Sequence, residues 1–405
     1  MKNKLFLLLS AILVACSTNS TINKKTNTPC EISKILYQEN KQHEFLNSLV
    51  YCFDHKGITN QDYYDLFFML LSATSVVEGT PQAIQTFKKI KKTVTTTAPL
   101  QIKKTFLKQV VKKVDANLIG VPFSQNITGH SLAGWVRVLD EKTGKYEFTQ
   151  ALLARIEIDN QLHGINIDTG SNANIFPSSL FLDNQVIITN SIVSDVHKKS
   201  TYAQKGFVKN VNFFGLTDYN LLATFINSSP KEYPILGLNF LMKFSNFCID
   251  THGLSLNVEK CSSIKTWQPM QLSPKLALIL EVQLNGEPSK LLIDTGSSSN
   301  LINRRHLSYN QLKALNDVEV SLQTIKGANS ISDLSIQSTH YQLSFSNDIY
   351  HTEFEIVHDS EIAMRGNYHG LLGLEFFDSF ESIMFDFKNM RLGLGKRKTK
   401  SFSKN

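Results

Sequence analysis

The feature that most constrains the fold of this chain is an internal repeat in its second half. Residues 164–171, Gly-Ile-Asn-Ile-Asp-Thr-Gly-Ser, recur 126 residues later as residues 290–297, Lys-Leu-Leu-Ile-Asp-Thr-Gly-Ser. Further along, an apolar-apolar-Gly block at residues 234–240 recurs at residues 370–376. Agreement over two separated blocks predicts two copies of one structural unit. The spacing between the blocks is 69 residues in the first copy and 79 in the second, which predicts a longer loop in the second copy.

The spacing of apolar and polar residues differs on the two sides of residue 130. Short alternating runs of apolar and polar residues, such as 154–158 and 280–284, are typical of β-strands. Residues 30–118 instead carry apolar side chains at helical spacing, with helix starts predicted at Thr28-Pro29, Thr59 and Thr80-Pro81. The sequence therefore predicts an α-helical region followed by a repeated β region.

Both blocks of the repeat resemble the aspartic proteases of the pepsin and retropepsin type. Lobes of that family carry an apolar strand, Asp-Thr/Ser-Gly, and a later apolar-apolar-Gly strand, and the resemblance covers about residues 150–396. It implies a mainly β fold of two retropepsin-like β-barrel lobes that form a pseudo-dimer behind the helical region. The expected segments are a signal peptide over 1–15, a tether over 16–29, a helical region over 30–130, lobes over 131–265 and 266–396, and a basic tail over 397–405.

The resemblance implies an aspartic endopeptidase in which Asp168 and Asp294 are the catalytic pair. Two carboxyl groups within hydrogen-bond reach share one proton. The ionised carboxylate takes a proton from a water molecule, and the protonated carboxyl polarises the scissile carbonyl. No metal or other cofactor is required. The residues expected to support the two active-site loops are Thr169, Gly170, Ser171, Thr295, Gly296 and Ser297.

Each type of residue in the two active-site loops has an expected structural role. The resemblance implies that Thr169 and Thr295 donate hydrogen bonds across to the opposite loop. Gly170 and Gly296 allow close approach of the backbone where a Cβ would clash. The hydroxyls of Ser171 and Ser297 are expected to donate to their own Asp side chains, which favours the charged form and moves the activity window towards acid.

The sequence leaves three other interpretations open. The chain could be a non-catalytic protein that binds peptides in an acid-protease fold. Its lobes could pair between two chains rather than within one, although unequal copies joined by a short connection favour a monomer with an internal pseudo-twofold axis. A glycosidase with a carboxylate pair is a more distant alternative, because that chemistry does not call for twinned Asp-Thr-Gly loops.

The first residues of the chain resemble a bacterial lipoprotein signal. A short basic head is followed by an apolar run, residues 5–15, that is too short to span a membrane. By that resemblance Cys16 becomes the lipidated first residue, which would hold the protein on a membrane. Ser17 in the next position predicts outer-membrane sorting, with the protein facing the periplasm.

The remaining four cysteines form an even set in an exported chain. Cys248 and Cys261 flank a predicted hairpin, so a disulfide between them is plausible. Cys30 and Cys52 would be about 33 Å apart along one unbroken helix, far beyond the limit of about 7 Å. They can pair only if the chain turns between them; the alternative for all four is a buried free thiol.

The positive charge of the chain is concentrated in one segment. Nine lysines and no acidic residue lie within residues 88–113, whereas the formal net charge of the whole chain is +7. A protein that reads a nucleic-acid duplex would carry basic clusters over a whole folded face, so this class is excluded. We considered three interpretations: a pro-segment that covers the Asp pair, as in pepsin-like zymogens; a solvated helix face; and a surface attracted to anionic lipid.

Three further segments resemble family features. Residues 201–206 and 324–327 lie where a β-hairpin flap is expected in each copy. Asp250-Thr251-His252-Gly253 looks like a third Asp-Thr-Gly with an insertion. Because Asp250 occupies the place of Asp386 in the second copy, we predict that it lies in a hairpin turn.

Overall fold

The computed structural model describes residues 27–55, 57–118, 129–131, 134–140, 145–180, 185–194, 200–227, 234–250, 252–261, 263–326, 331–345, 348–357 and 368–398. The proposed signal, Cys16 and most of the tether lie outside these ranges. Within them, no helix combines the length and the apolar character that crossing a bilayer would require.

The described chain begins with helices whose starts were predicted from threonine caps. The side-chain oxygens of Thr28, Thr59 and Thr80 each accept a hydrogen bond from the backbone N–H three residues on. The helices are α1 (Pro29–Gln38), α2 (Gln42–Phe53), α3 (Asn60–Val76), α4 (Pro81–Thr97), α5 (Leu100–Thr105) and α6 (Lys112–Asn117), with a π-helical stretch over Phe106–Val111 joining the last two.

The π-helical stretch is a local departure from the regular helical spacing predicted over residues 30–118. Phe106, Val110 and Val114 recur every four residues and are all buried. Side chains that recur every four residues do not stay on one face of an ordinary α-helix, because that helix has 3.6 residues per turn. The wider π turns keep these side chains on one buried face.

The first copy of the repeat consists mainly of strands. They are β1 (Gly129–Ser131), β2 (Gly134–Asp140), β3 (Lys145–Ile158), β4 (Gln161–Asp168), β5 (Ile175–Pro177), β6 (Gln185–Ser194), β7 (Ser200–Phe213), β8 (Leu216–Ile226), β9 (Ile235–Gly237), β10 (Asn246–Asp250) and β11 (Gly253–Leu256), with a 3₁₀ turn at Ser178–Leu180 and the short helix α7 (Leu238–Leu241).

The second copy repeats this order. Its elements are β12 (Thr266–Leu272), β13 (Leu278–Leu284), β14 (Glu287–Ile293), β15 (Leu301–Asn303), a 3₁₀ turn at Arg304–His306, α8 (Tyr309–Ala314), β16 (Ser321–Lys326), β17 (Ile331–Phe345), β18 (Asp348–Val357), β19 (Gly370–Leu372), α9 (Leu374–Phe377), β20 (Ile383–Asp386) and β21 (Arg391–Leu394). Seventeen residues separate β15 from β16, against seven between β5 and β6, and α8 lies in this longer connection.

The strand pairings are the same in both copies. In the first, β4 runs parallel to β9 and β5 runs parallel to β8. In the second, β14 runs parallel to β19 and β15 runs parallel to β18. The described strands form an eight-stranded sheet in the order β2-β3-β4-β9-β5-β8-β7-β6 and a thirteen-stranded sheet in the order β1-β11-β10-β20-β21-β12-β13-β14-β19-β15-β18-β17-β16. The fold is mainly β and compatible with two acid-protease-like lobes.

The two copies are joined by main-chain hydrogen bonds as well as by the chain itself. Strand β10 of the first copy pairs antiparallel with β20 of the second. At the centre of this ladder Cys248 lies opposite Met384, its own counterpart in the repeat. The stacked rings of Phe247 and Phe385, with centroids 4.2 Å apart, pack beside it.

The helical region packs directly against the repeated β region. The largest apolar core is continuous from Cys30 in α1 to Leu394 in β21. Ser72 Oγ donates to the carbonyl of Pro274 (3.2 Å), and Asn40 Nδ2 donates to the carbonyl of Phe387 (3.2 Å).

A buried ion pair adds to this contact. Glu78, just after α3, pairs with Lys243, just after α7, and the side chain of each is only 1 % exposed. The helices are therefore joined to the β region by apolar packing, hydrogen bonds and charge.

Candidate active site

The two Asp-Thr-Gly segments occupy equivalent places in the two sheets. Asp168 is the last residue of β4, and Asp294 follows the last residue of β14. Beside each lies the apolar-apolar-Gly strand: Asp168 is paired with Gly237, and Asp294 N–H donates to the carbonyl of Leu372 (3.0 Å). The repeat thus brings the two aspartates to the ends of parallel strand pairs.

Backbone N–H groups hold each carboxyl group in place. Asp168 Oδ1 accepts from the N–H groups of Gly170 (2.8 Å) and Ser171 (3.0 Å). Asp294 Oδ1 accepts from the N–H of Gly296 (2.9 Å). Each loop therefore turns its own amide groups towards its aspartate.

The serine hydroxyls do not make the expected bonds. Ser171 Oγ donates to the carbonyl of Ala173 (2.7 Å), and Ser297 Oγ donates to the carbonyl of Ser299 (2.9 Å). The expectation that these hydroxyls donate to their own Asp was wrong. The loop turns so tightly that the backbone N–H of each serine faces the carboxyl group, while the hydroxyl closes the turn on its other side.

The two threonines link the loops reciprocally. Thr169 Oγ1 donates to the carbonyl of Ile293 (3.0 Å) and accepts from the N–H of Thr295 (3.1 Å). Thr295 Oγ1 donates to the carbonyl of Ile167 (2.7 Å) and accepts from the N–H of Thr169 (3.0 Å). Both threonines are fully buried. Each hydroxyl thus satisfies one donor and one acceptor of the opposite copy.

The glycine that follows each threonine lies against the opposite aspartate. A Cβ added at Gly296 would come within 2.5 Å of Asp168 Cγ, and one added at Gly170 would come within 2.6 Å of Asp294 Oδ2. Real Cβ atoms do not approach other atoms so closely. Only glycine allows the two carboxyl groups to meet.

Burial raises the pKa of both carboxyl groups. Burial raises the pKa of Asp168 above its ordinary value. Burial, and then the charge of Asp168, holds the pKa of Asp294 well above its ordinary value. Each carboxyl group also lies against the glycine of the opposite loop, so the two groups approach each other closely. The pair therefore retains one proton at a pH where an isolated Asp would be ionised.

Two buried asparagines support the loops, a role that the sequence analysis did not assign. Asn174 Oδ1 accepts from the N–H of Gly237, and Asn300 Oδ1 accepts from the N–H of Gly373, both at 2.9 Å. Their amide nitrogens donate to the carbonyls of Leu222 and Glu353, on β8 and β18. The match of Asn174 to Asn300 in the repeat was the available signal.

The other predicted features have distinct places in the fold. Residues 201–206 lie within β7, and 324–326 lie in β16; the turns of both hairpins, together with Gly327, lie outside the described residues. Asp250 pairs with Gly253 in the β10–β11 hairpin, as predicted.

The structure contains disulfides Cys248–Cys261 and Cys30–Cys52, with Cα atoms 5.6 and 4.7 Å apart. The turn between α1 and α2 makes the second possible.

One group of potential metal ligands occurs among the described residues, and it is Cys248, Asp250 and Cys261. Its two sulfur atoms are joined to each other in the disulfide, so they do not offer thiolate ligands. The Asp168–Asp294 pair is built from carboxyl groups and backbone amides, which suits proton transfer.

The lysine-rich segment does not cover the Asp pair in this structure. Within the described chain, the groups that shift the pKa of Asp168 and Asp294 include no lysine. Lys91 instead lies 3.8 Å from Asp115, and Lys104 and Lys108 are exposed. The pro-segment hypothesis, in the form of a lysine paired with both carboxyl groups, does not fit this arrangement.

Comparison with known proteins agrees with this site. Residues 280–376 match the family model described as aspartyl protease. The match spans Asp294 and Gly373, the two signatures of the second copy, and identifies an aspartic-protease-like domain there. No curated protein matches the chain.

Proposed function

We propose that this protein is a single-chain aspartic endopeptidase that uses Asp168 and Asp294 together. The observation that carries the proposal is the close approach of Asp168 and Asp294, each of which lies against the glycine of the opposite loop and has a raised pKa. The threonine hydrogen bonds between the loops support pairing within one chain. The family match over residues 280–376 supports protease-like function.

The chemistry follows from the shared proton. The ionised carboxylate removes a proton from a water molecule as its oxygen attacks the carbonyl carbon of the peptide bond. The protonated carboxyl donates to the carbonyl oxygen, where negative charge develops. In the second step a proton passes to the amide nitrogen as the carbon–nitrogen bond breaks. The backbone amides of Gly170, Ser171 and Gly296 keep both carboxyl groups oriented throughout.

The geometry favours proteolysis over the alternatives. Retaining glycosidases hold their carboxyl groups about 5 Å apart and inverting enzymes further apart. Here each carboxyl group lies against the glycine of the opposite loop, and the charge of Asp168 raises the pKa of Asp294. A protein that only binds peptides has no need for two half-buried carboxyl groups whose proximity costs free energy.

The test is digestion of a diverse peptide mixture at several pH values by protein that begins at Ser17. We expect cleavage on the acidic side of neutral, inhibited by a statine-type compound. Asp168→Asn and Asp294→Asn should each lower kcat by about 10³-fold or more. Asp250→Asn, in the look-alike segment, is the matched control and should retain activity. Full activity of either active-site variant would disprove the proposal.

We also propose that Cys16 carries lipid and holds the enzyme on the outer membrane, facing the periplasm. The basic head, the short apolar run and the position of Cys16 support this. Expression with radiolabelled fatty acid should label the wild-type protein in the membrane fraction. Cys16→Ala should abolish the label; persistent labelling would exclude this site.

A further inference from the structure

The helices α4, α5 and α6 present a basic surface away from the protein core. Ala83, Phe87, Ile90 and Val94 form the buried face of α4. The lysines of the basic surface are Lys88, Lys89, Lys91, Lys92, Lys103, Lys104, Lys108, Lys112 and Lys113, of which all but Lys91 and Lys103 are exposed. With nine lysines here and a net charge of +7, the rest of the chain carries about −2.

Among the described residues, few groups neutralise these charges. Lys91 lies 3.8 Å from Asp115, at the end of α6. Lys103 Nζ donates to the carbonyl of Thr96 (3.2 Å) at the turn between α4 and α5. The exposed stripe of Lys104, Lys108 and Lys112 follows one side of the helix, opposite the buried Phe106 and Val110.

Apolar side chains emerge within the same surface. Leu100, at the start of α5, is 69 % exposed, and Leu107, between Lys104 and Lys108, is 45 % exposed. Exposed leucine beside a lysine-rich face is typical of helices that lie at the boundary between water and lipid. The aromatic residues Phe87 and Phe106 are buried, so nucleic-acid bases would find no ring to stack on here.

We propose that this basic surface docks on an anionic lipid bilayer. Each lysine near an anionic surface strengthens binding by about fivefold, and the exposed leucines add apolar contact. Cys16 lies twelve positions before Thr28, and this stretch spans at most about 40 Å, so a lipid on Cys16 would keep the helices near the bilayer. The proposal requires neither that lipid nor catalysis, and it explains why the positive charge is gathered in one segment.

The test uses non-lipidated protein beginning at Ser17, which retains every described residue. Its binding to vesicles of phosphatidylcholine, with and without phosphatidylglycerol, is measured by co-sedimentation. We expect binding only to the anionic vesicles, and loss of that binding in high salt. Changing Lys104, Lys108 and Lys112 together to Gln should weaken binding by about 100-fold.

The matched control changes three exposed lysines elsewhere, Lys209, Lys260 and Lys313, to Gln and should bind as wild type does. Circular dichroism verifies that both variants fold. Equal loss in both variants, or no binding of wild type to anionic vesicles, would overturn the proposal. Tighter binding to duplex DNA than to anionic vesicles, lost in the first variant alone, would assign the surface to nucleic acid instead.

Discussion

At the scale of single residues, the reciprocal threonine bonds fix the geometry of the Asp pair. Thr295 Oγ1 accepts from Thr169 N–H and donates to the carbonyl of Ile167, so one hydroxyl satisfies two groups of the opposite loop. A buried donor or acceptor that loses its partner costs about 1–3 kcal/mol. The loops therefore depend on the hydroxyl rather than on the size of the side chain.

We predict that Thr295→Val lowers the free energy of unfolding by about 2–5 kcal/mol, because it leaves two buried groups unsatisfied. It should also lower kcat, since the carboxyl groups lose their alignment. Thr295→Ser, which retains the hydroxyl, is the control and should keep most of the stability and most of the kcat. Urea denaturation and peptide hydrolysis measure the two effects. Equal behaviour of the two variants would show that the hydroxyl is unimportant.

The shared proton also makes stability depend on pH. The folded pair has raised pKa values, so the folded state holds a proton that the unfolded state releases. This contribution is complete below the ordinary Asp pKa of about 3.9 and is lost as pH rises through the raised value.

We therefore predict that the free energy of unfolding falls between acidic and neutral pH and that Asp294→Asn reduces this fall. The variant removes the carboxyl group whose pKa is raised most. Urea denaturation at a series of pH values measures the slope, with Asp250→Asn as control. The same slope in wild type and Asp294→Asn would contradict the assignment of the proton to this pair.

At the scale of elements, the α1–α2 hairpin is closed by the Cys30–Cys52 disulfide. The two cysteines are 22 positions apart, and the cross-link restricts the unfolded chain. We predict that changing both to Ala lowers the free energy of unfolding by about 3 kcal/mol. We expect kcat to be unchanged, because the described hydrogen bonds to the Asp carboxyl groups come from the Asp-Thr-Gly loops.

Denaturation without reductant measures this loss in protein that begins at Ser17. An unchanged free energy of unfolding would indicate that the cross-link does not constrain the unfolded state.

Elements with strong local signals could be predicted from the sequence. Thr28, Thr59 and Thr80 mark helix starts because each side chain caps its own helix. The π-helical stretch at Phe106–Val111 was not predicted, because its cause is burial of a four-residue repeat against the rest of the fold. The bonds of Ser171 and Ser297 were also missed, since both the backbone N–H and the hydroxyl of a serine can donate and only the tight turn decides between them.

At the scale of the whole molecule, the helical region is part of the same body as the repeated β region. The Glu78–Lys243 pair lies fully buried between them. Removing one partner of such a pair leaves an uncompensated charge and costs about 3–5 kcal/mol.

We predict that Glu78→Gln destabilises the protein by about that amount and that adding Lys243→Met restores much of the loss. A double-mutant cycle from urea denaturation measures the coupling. Glu281→Gln, at the half-exposed pair with Lys290, is the control and should cost less than about 1 kcal/mol. Additive effects of Glu78→Gln and Lys243→Met would contradict a direct interaction.

The continuous core also predicts what happens when the connection is cut. A site-specific protease sequence inserted within residues 119–128 should allow cleavage without separation of the two parts, because apolar packing and the ion pair hold them together. Size-exclusion chromatography should show one species that dissociates only in urea. Release of the β region with a rise in activity would revive the pro-segment hypothesis.

The repeat predicted the location of the two aspartates better than it predicted how the whole molecule is assembled. Asp168 and Asp294 were found because their motifs are local and occur twice. The ladder between β10 and β20 and the contact of Glu78 with Lys243 connect residues far apart in the chain. No short motif encodes such contacts, so they became visible only in the structure.

The self-complementary ladder between β10 and β20 has an evolutionary consequence. Because Cys248 faces its own counterpart Met384, a single-copy ancestor could have formed the same ladder between two identical chains. In such a dimer every substitution appears twice. Fusion into one chain removes that constraint, and each half can change alone. The ten additional residues around α8 occur in the second copy only. In a symmetric dimer of identical chains, the same insertion would have been present in both subunits.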